Sequence, residues 1–329
     1  MKRLFVAAAV AALTASAGVG VTAQSKPAAP QIPFTFSNPL KLPPRTYLGE
    51  AAGVALNSKG DIYVYSRTSD GPRLWEFDPT GNLLHEIGQG IYGFYQAHAV
   101  RVDTHDNIWV VDEGTNTVME FDPQFRVKMV IGRRWERVDG PPKQPSEDAP
   151  PPRAQKGLFN RETDITWDHD GNMYIADGYN NSRVTKFDKD GNWIKAWGQR
   201  GTGPGEFHTV HTIAIDNQDH IYVGDRENRR IQVFDTDGTF LRQITGIGAP
   251  WAICITPGPH QVLYSSDSVP GQIYKLDLDG KILGVFGKAG KQPGEFGWVH
   301  EIACPSENTL YVAELLNWRV QKVELHPTK

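Results

Sequence analysis

Three histidines recur at one register of a repeated sequence pattern. His98, His211 and His300 each stand just before an apolar segment, in the second, fourth and sixth of six repeats. Alternate positions in a ring of six lie about 120° apart, so the three imidazoles are expected to meet over a common axis. Three neutral imidazoles bind Zn²⁺ and leave a fourth position open for water or substrate. The pattern predicts a metal site. Copper, nickel or iron are alternatives to zinc, and packed or hydrogen-bonded histidines are the alternative without a metal.

The repeats themselves predict the fold. The third copy runs through the segments 165–167, 173–176 and 183–187, with a turn from Asp188 to Gly191 before its last segment. Alternating apolar residues and Asp-Gly turns are typical of short antiparallel strands. The other copies cover approximately residues 53–88, 95–132, 206–246, 249–287 and 295–329. Four strands per copy in six copies predict an all-β chain, folded as a six-bladed β-propeller.

The end of the sixth copy predicts how the ring closes. This copy stops after its third strand, Arg319 to Leu325, which would leave an unpaired sheet edge. The segment from Phe34 to Leu48, which precedes the first repeat, is expected to supply the fourth strand. A proline-bearing linker is the alternative. The chain then divides into an N-terminal segment, 24–47, and a propeller, 48–329.

Other reactive side chains are expected on the face that carries the histidines. In a propeller the links between blades and the loops between second and third strands share one face. Those loops contain Arg67, Tyr179 and Arg226. Arginines grip carboxylates with paired hydrogen bonds, and a phenol beside a cation loses its proton more easily and can serve as a base. These residues predict a site for an anionic substrate. The alternative is that the arginines pair with loop acids such as Asp225 and Glu227.

One segment interrupts the period of the repeats. Residues 133–157 are charged and rich in proline, with three consecutive prolines at 150–152. The segment links the second and third repeats, so it is expected on the histidine face, where it could act as a lid. A disordered surface loop is the alternative.

The N-terminus predicts export. Lys2 and Arg3 precede a short apolar run, and small residues lead to Ala23, which is the pattern of a signal peptide over residues 1–23. The apolar run is too short to span a membrane, and a retained N-terminal anchor is the alternative. We therefore expect a periplasmic or secreted monomer without a membrane span. The net charge of −4 argues against binding to nucleic acid.

The two cysteines are expected to be separate. Cys254 and Cys304 fall on predicted strands of neighbouring repeats, and two cysteines do not make a disulfide framework. Small buried thiols are the favoured interpretation, with a bridge as the alternative.

The repeats resemble NHL repeats from about Gly53 to the C-terminus. More narrowly, the chain resembles the lyase domain of peptidylglycine α-amidating enzymes, peptidyl-α-hydroxyglycine α-amidating lyase. The matching stretches, which together span most of the chain, are residues 97–103, 177–183, 225–228 and 299–302. The resemblance implies cleavage of the carbon–nitrogen bond of a carbinolamide, which gives an amide and glyoxylate. The implied substrate is peptide-like or a small molecule that carries a carboxylate.

The resemblance also implies roles for individual residues. It implies Zn²⁺ on the three histidines, Tyr179 as the catalytic base, and Arg67 and Arg226 at the substrate. It further implies a structural Ca²⁺ in the channel, held by the backbone carbonyls of Val54 and Val100 and by the carboxylate of Glu301. The animal enzymes have Asp where this chain has Glu301, and they have a cysteine where it has Asn180.

Two other functions are compatible with this pattern. NHL propellers also serve as non-catalytic scaffolds, in which case the histidines would hold no metal or a structural one. Six-bladed propellers also include calcium-dependent lactonases, although those use acidic and amide ligands rather than three histidines. Metal content distinguishes the three possibilities.

Overall fold

The fold is a closed ring of β-sheets. The computed structural model describes residues 29–88, 90–91, 93–134 and 158–327. Within these ranges all regular elements are β-strands, and they form six antiparallel four-stranded sheets. The innermost strands of successive sheets contact one another all the way around the ring. The predicted six-bladed β-propeller is therefore confirmed. No helix in the described ranges is long and apolar enough to cross a membrane.

The strands are numbered along the chain, and each blade is given from its inner to its outer strand. The closing strand is β1 (Phe34–Ser37). Blade one consists of β2 (Glu50–Leu56), β3 (Ile62–Thr68), β4 (Gly71–Phe77) and β5 (Leu83–Ile87). Blade two consists of β6 (Ala97–Val102), β7 (Ile108–Asp112), β8 (Thr117–Phe121) and β9 (Val127–Gly132). Blade three consists of β10 (Asp164–Trp167), β11 (Met173–Asp177), β12 (Arg183–Phe187) and β13 (Trp193–Trp197). Blade four consists of β14 (Val210–Ile215), β15 (Ile221–Asp225), β16 (Arg230–Phe234) and β17 (Phe240–Thr245). Blade five consists of β18 (Pro250–Ile255), β19 (Leu263–Asp267), β20 (Gln272–Leu276) and β21 (Ile282–Phe286). Blade six consists of β22 (Val299–Ser306), β23 (Thr309–Glu314) and β24 (Arg319–Leu325), together with β1.

The ring closes as the sequence predicted. β1 pairs antiparallel with β24, with Phe34 opposite Leu325 and Ser37 opposite Lys322. It therefore supplies the outer strand of blade six, next to β24, β23 and β22. Because the first and last strands of the propeller share one sheet, opening the ring requires breaking that pairing.

The hydrophobic core lies between neighbouring blades. Between blades two and three, for example, Trp109 and Val111 of β7 pack with Phe159, Ile175 and Phe187. Comparable clusters fill the other interfaces. This packing fixes each blade against the next, and so fixes the inner strands that surround the channel.

A disulfide joins Cys254 of β18 to Cys304 of β22, so the prediction of separate thiols was wrong. The inner strands of blades five and six lie side by side, and the two Cα atoms are 6.1 Å apart. That separation is within the range of a disulfide. Residues at similar heights on adjacent inner strands are neighbours even when 50 positions separate them in sequence.

Two predicted segments lie outside the described residues. They are the signal peptide, 1–23, and nearly all of the proline-rich insert, of which residues 135–157 are not described. Both remain predictions.

Candidate functional site

Each of the three histidines occupies a β-bulge. In blade two, Ala97 pairs with Asp112 and Ala99 with Val111, so His98 between them has no partner on the neighbouring strand. The register of β14 shifts in the same way around His211, and that of β22 around His300, so these two histidines also lack a partner on the neighbouring strand. The sequence placed the histidines just before these strands, whereas the structure places each as the second residue of its strand. A bulge redirects a side chain, and here it turns three imidazoles towards the channel axis.

In blades two, four and six, an acidic residue at the end of the second strand holds the link that leads to the bulge. In blade two, Asp112 accepts hydrogen bonds from the backbone N–H groups of Tyr95 and Gln96. In blade four Asp225 accepts from the N–H of His208, three residues before His211. Glu314 does the same for Gly297 in blade six. The repeated acid therefore sets the entry of each inner strand, and with it the position of the histidine.

The three imidazoles form a compact buried group. One nitrogen from each of His98, His211 and His300 lies within 4.8 Å of the others. Their ring centroids are 4.5–5.0 Å apart, and the residues are at most 5% exposed. We call this group the tripod. The structure brings together the residues that the sequence predicted as a metal site.

Hydrogen bonds orient the rings of the tripod. The Nδ1 atoms of His211 and His300 lie 2.6 and 2.7 Å from the backbone oxygens of Trp251 and Ala52, at the equivalent positions of the next blades. A carbonyl accepts only from a protonated Nδ1, which leaves the Nε2 lone pair available. Both ring nitrogens of His98 are buried without a hydrogen-bond partner. The backbone of Thr163, at the position equivalent to Trp251 and Ala52, is close enough to raise the pKa of His98.

The tripod is uncharged at neutral pH. Burial lowers the pKa of His98 and His211 well below its ordinary value, and the neighbouring histidines and arginines lower it further. Burial, followed by the charge of Arg67, lowers the pKa of His300 to about 3. Neutral imidazole is the form that binds a metal. Three converging neutral donors, one of them with both nitrogens unpaired, fit a Zn²⁺ ion that has three protein ligands.

Tyr179 lies against the tripod. Its hydroxyl oxygen is 3.3 Å from Nε2 of His211, and its ring meets the rings of His98 and His211 edge-on. Burial raises the pKa of Tyr179, and the charge of Glu113 adds to this effect, whereas Arg226 and Arg161 act in the opposite direction. The two arginines therefore lower the pKa of this phenol by less than burial and Glu113 raise it.

Arg226 stacks against two aromatic rings beside the tripod. Its guanidinium carbon is 5.4 Å from the ring centre of Tyr179 and 4.7 Å from that of Trp251. Its Nε donates to the carboxylate of Glu227 at 2.8 Å. The pairing with a loop acid that the sequence offered as an alternative is therefore present. The carboxylate of Glu227 is 45% exposed, so it competes weakly with a substrate that enters from solvent.

Arg67 lies at the edge of the site. Its Nε donates to the backbone oxygen of Ala97, the residue before His98. Its terminal nitrogens are each 3.4 Å from a carboxylate, one of Glu50 and one of Glu113. An open groove extends from Arg67 past Tyr47, Trp75 and Trp318. The groove is larger than the small cavity directly under the tripod. Arg67 lines the groove and also donates to the residue that precedes His98.

A third arginine completes the surroundings of Tyr179, and the sequence analysis missed it. The guanidinium carbon of Arg161 is 4.3 Å from the ring centre of Tyr179. Its Nη2 is 3.0 Å from the carboxylate of Glu113, which also faces Arg67. Arg161 belongs to the link that enters blade three. The signal available in the sequence was its place two residues before Thr163, the position equivalent to the histidines.

The residues of the implied calcium site also converge, but with different chemistry. The backbone N–H groups of Val54 and Val100 donate to one carboxylate oxygen of Glu301, at 3.0 and 3.2 Å. The other oxygen is 3.1 Å from Nε of Arg101. Burial raises the pKa of Glu301 to about 8, although the charge of Arg101 lowers it. A guanidinium already faces this carboxylate, so the residues present fit Ca²⁺ poorly.

Comparisons with known proteins agree with the fold. A family model described as a 6-bladed beta-propeller matches residues 158–246. Among solved structures, a gluconolactonase from Xanthomonas campestris superimposes with a TM-score of 0.58, over 92% of this chain and 99% of the other, at 15% identity. At that identity the likeness concerns the fold alone.

Relatives with assigned names cover most of the chain. The rat peptidylglycine alpha-amidating monooxygenase is 28% identical over 316 residues, which are 82% of this chain but 30% of the rat protein. A probable peptidyl-alpha-hydroxyglycine alpha-amidating lyase of Caenorhabditis elegans is 24% identical, over 86% of this chain and 84% of its own length. Human NHL repeat-containing protein 3 is 26% identical over 71% of this chain and 65% of its own length. The resemblance that the motifs predicted is therefore confirmed at modest identity: the chain is a six-bladed propeller similar to NHL repeat-containing proteins and to peptidyl-α-hydroxyglycine α-amidating lyases.

Proposed function

We propose that this protein is a zinc-dependent carbon–nitrogen lyase, which cleaves a peptidyl-α-hydroxyglycine-like carbinolamide to an amide and glyoxylate. The observation that carries the proposal is the position of the Tyr179 hydroxyl, 3.3 Å from Nε2 of His211 in a tripod of three neutral imidazoles. A phenol at that distance is placed to exchange a proton with a ligand in the open position of the metal. Relatives named as amidating lyases support a lyase-like function.

The three tripod histidines would hold the zinc. When bound, zinc supplies a Lewis acid that lowers the pKa of the substrate hydroxyl, and it adds positive charge beside the phenol of Tyr179. Copper, nickel or iron could occupy the same three nitrogens. Zinc is preferred because a site with three protein ligands and one open position is its usual catalytic arrangement.

The proposed reaction moves one proton and breaks one bond. Tyr179 accepts the proton of the carbinol hydroxyl, the oxygen forms a carbonyl group, and the carbon–nitrogen bond breaks. Its electron pair passes to the amide nitrogen, which then takes a proton, and Tyr179 can return the one that it accepted. The products are an amide and glyoxylate, with no change in oxidation state overall. The guanidinium carbons of Arg161 and Arg226 lie 4.3 and 5.4 Å from the ring centre of Tyr179, and these cations would stabilise its anion.

Arginines on the same face would orient the substrate. A guanidinium binds a carboxylate with paired hydrogen bonds, and Arg226 and Arg67 offer such groups near the tripod. Fixing the carboxylate fixes the direction of the bond that breaks. The acyl or peptide part of the substrate would then extend into the groove lined by Tyr47, Trp75 and Trp318.

We also propose that the protein is exported. The sequence predicts a signal peptide over residues 1–23, and the disulfide between Cys254 and Cys304 is the kind of bond that forms in oxidising compartments. Periplasmic and secreted locations are both compatible with these features.

Metal content and glyoxylate release test the proposed function together. We expect purified protein to contain close to one zinc per chain and to release glyoxylate from α-hydroxyhippurate. Zinc and activity should both be lost in His211→Ala. The matched control is His208→Ala, since His208 lies in the same link but bonds to Arg200 outside the tripod, and it should retain both.

Three outcomes would contradict the proposal. Protein without any metal would favour a non-catalytic scaffold. Calcium alone, with activity on lactones, would favour a lactonase. Stoichiometric zinc without glyoxylate release would support the proposed metal site and contradict the proposed reaction.

A further inference from the structure

A buried polar cluster lies directly beneath the tripod. A small cavity is lined by the three histidines together with Arg101, Asp164, Thr212 and Glu301. We call these four residues the channel plug. Asp164, Thr212 and Glu301 are each 2% exposed. Charged groups at such depth must be compensated by other charges and by hydrogen bonds. The partners of the plug residues therefore show which groups balance the buried charge.

Arg101 supplies the positive charge of the plug. Its Nε donates to one oxygen of Asp164 at 2.8 Å, and its Nη2 donates to the other at 2.6 Å. The same Nε is 3.1 Å from Glu301. One guanidinium therefore faces two buried carboxyl groups, with a two-point contact to the first.

Backbone N–H groups and a hydroxyl also donate hydrogen bonds to the carboxyl oxygens of Asp164 and Glu301. One oxygen of Asp164 also accepts from the hydroxyl of Thr212 at 2.9 Å and from the N–H of Ile213 at 3.0 Å. On Glu301, the oxygen that does not face Arg101 accepts the two backbone N–H groups of Val54 and Val100. The Glu301 oxygen that faces Arg101 accepts no hydrogen bond. This single carboxylate oxygen, beside a guanidinium, is far from the six to eight oxygen ligands at about 2.3–2.6 Å that Ca²⁺ requires.

We propose that Arg101 is the permanent cation of this channel, in the place where the resemblance to amidating lyases implies calcium. A divalent ion bound to Glu301 would lie within a few ångströms of the guanidinium, and at that separation two positive charges repel strongly in a buried site. The guanidinium stays charged at every pH at which the protein is folded. The ring therefore needs no calcium, and this inference holds whether or not the protein is a lyase.

The plug makes Arg101 a positioning residue for the tripod. Through side chains and backbone the plug joins the inner strands of all six blades, which are β2, β6, β10, β14, β18 and β22. Thr212 and Glu301 directly follow the tripod histidines His211 and His300 in the chain. Gly53 has no side chain, and a Cβ there would lie 2.5 Å from the carboxylate of Glu301, so the backbone of β2 can approach it closely.

Calcium titration of the wild-type protein is the first test. Protein dialysed against calcium-depleted buffer should contain no stoichiometric calcium, and its Tm should not change on addition of about 10 mM Ca²⁺, above the range of weak extracellular sites. A calcium content near one per chain, or a clear rise in Tm with calcium, would overturn the proposal. This measurement requires no variant and no enzymatic activity.

A pair of variants then tests the role of Arg101 itself. Arg101→Ser removes the cation and leaves two buried carboxylates, so its Tm should fall and should be partly restored by Ca²⁺, because a ligand that binds only the folded state stabilises it. Arg101→Lys keeps one positive charge and should remain insensitive to calcium. An Arg101→Ser protein with unchanged Tm, or with a lowered Tm that calcium does not raise, would contradict the proposal. If this variant does not fold, the wild-type titration still decides.

Discussion

The hydroxyl oxygen of Tyr179 lies 3.3 Å from Nε2 of His211. Because Nδ1 of His211 is held by the carbonyl of Trp251, Nε2 carries the lone pair, and the phenol donates to it in the metal-free protein. When Nε2 serves as a metal ligand, that lone pair no longer accepts the phenol proton. The hydroxyl can then turn to a substrate in the open position. This geometry connects the candidate metal site to the proposed base.

Removing the Tyr179 hydroxyl should abolish most of the activity without disturbing the metal. We expect Tyr179→Phe to lower kcat for α-hydroxyhippurate by about 10²–10⁴-fold, the usual contribution of a general base, while zinc content stays unchanged. The matched control is Tyr95→Phe, because Tyr95 is 63% exposed and lies in the link to blade two. Normal turnover in Tyr179→Phe would exclude this residue as the base.

The two predicted substrate arginines should affect binding of the carboxylate. Replacing Arg226 or Arg67 with glutamine should raise KM by about 10–100-fold, which corresponds to the loss of one hydrogen bond to a charged group. The control is Arg229→Gln, since Arg229 lies in the same loop as Arg226 but is 66% exposed and faces Asp267. A variant that changes kcat while leaving KM unaltered would argue against a carboxylate clamp.

Arg161 offers a test of a residue that the sequence analysis did not single out. Its guanidinium lies over the ring of Tyr179 and lowers the pKa of that phenol. Arg161→Gln should therefore reduce kcat by about 2–30-fold, the range of a cation–π contact, and should shift the pH profile of kcat/KM towards higher pH. Arg161→Lys should restore much of the profile. The control is Arg134→Gln, which removes a similar contact with Tyr95 at a different ring. A lower kcat without a shift in the profile would indicate a structural role alone.

The fold was predictable because the sequence repeats its turns and its strands. Asp188 accepts the backbone N–H groups of Asp190 and Asn192, and Gly191 adopts the left-handed conformation that this hairpin requires. Such turns mark strand boundaries in the sequence. The closing strand was predictable for a different reason: β24 would otherwise have an unpaired edge.

The site was predictable in its residues but not in its geometry. The register of His98, His211 and His300 predicted that they meet, yet a bulge adds one residue to one strand, and a pattern of alternating residues does not locate it. Arg161 was not predicted because it lies in a link between blades, and the strand pattern points to the loops between second and third strands as the carriers of reactive side chains. The bridge between Cys254 and Cys304 was missed because it depends on the relative heights of two neighbouring inner strands, which strand pattern alone does not specify.

The disulfide should contribute to stability but not to activity. It closes a long loop between blades five and six, and removing such a bond typically costs about 2–4 kcal/mol of unfolding free energy. We expect a double variant, Cys254→Ala with Cys304→Ala, to unfold at lower denaturant concentration while retaining its zinc content and kcat. Dithiothreitol should destabilise the wild type and leave the double variant unchanged. Equal stability of the two oxidised proteins would contradict this prediction.

The buried tripod should make the metal-free protein sensitive to acid. His211 has an ordinary pKa near 6.5 in the unfolded chain and a much lower pKa in the fold, where burial is the main cause. Between those two values the unfolded chain binds more protons than the folded one, so the stability contributed by neutral His211 is complete above pH 6.5 and is lost as the pH falls. Each such histidine adds a slope of about 1.4 kcal/mol per pH unit to the unfolding free energy.

Comparison of two proteins isolates this effect from other titrating groups. Buried carboxyl groups with a raised pKa, such as Glu162 and Glu301, act in the opposite sense, because they bind protons more tightly in the fold and lose stability as the pH rises. Both groups are present in the wild type and in His211→Gln, so the difference in slope between the two metal-free proteins reports mainly on His211. Denaturant unfolding between about pH 4.5 and 6.5 gives the slope of the unfolding free energy against pH. This slope should be smaller in His211→Gln by the equivalent of up to one bound proton. Equal slopes in both proteins would mean that His211 is protonated in the metal-free fold, which would contradict this prediction, and metal binding would then have to displace that proton.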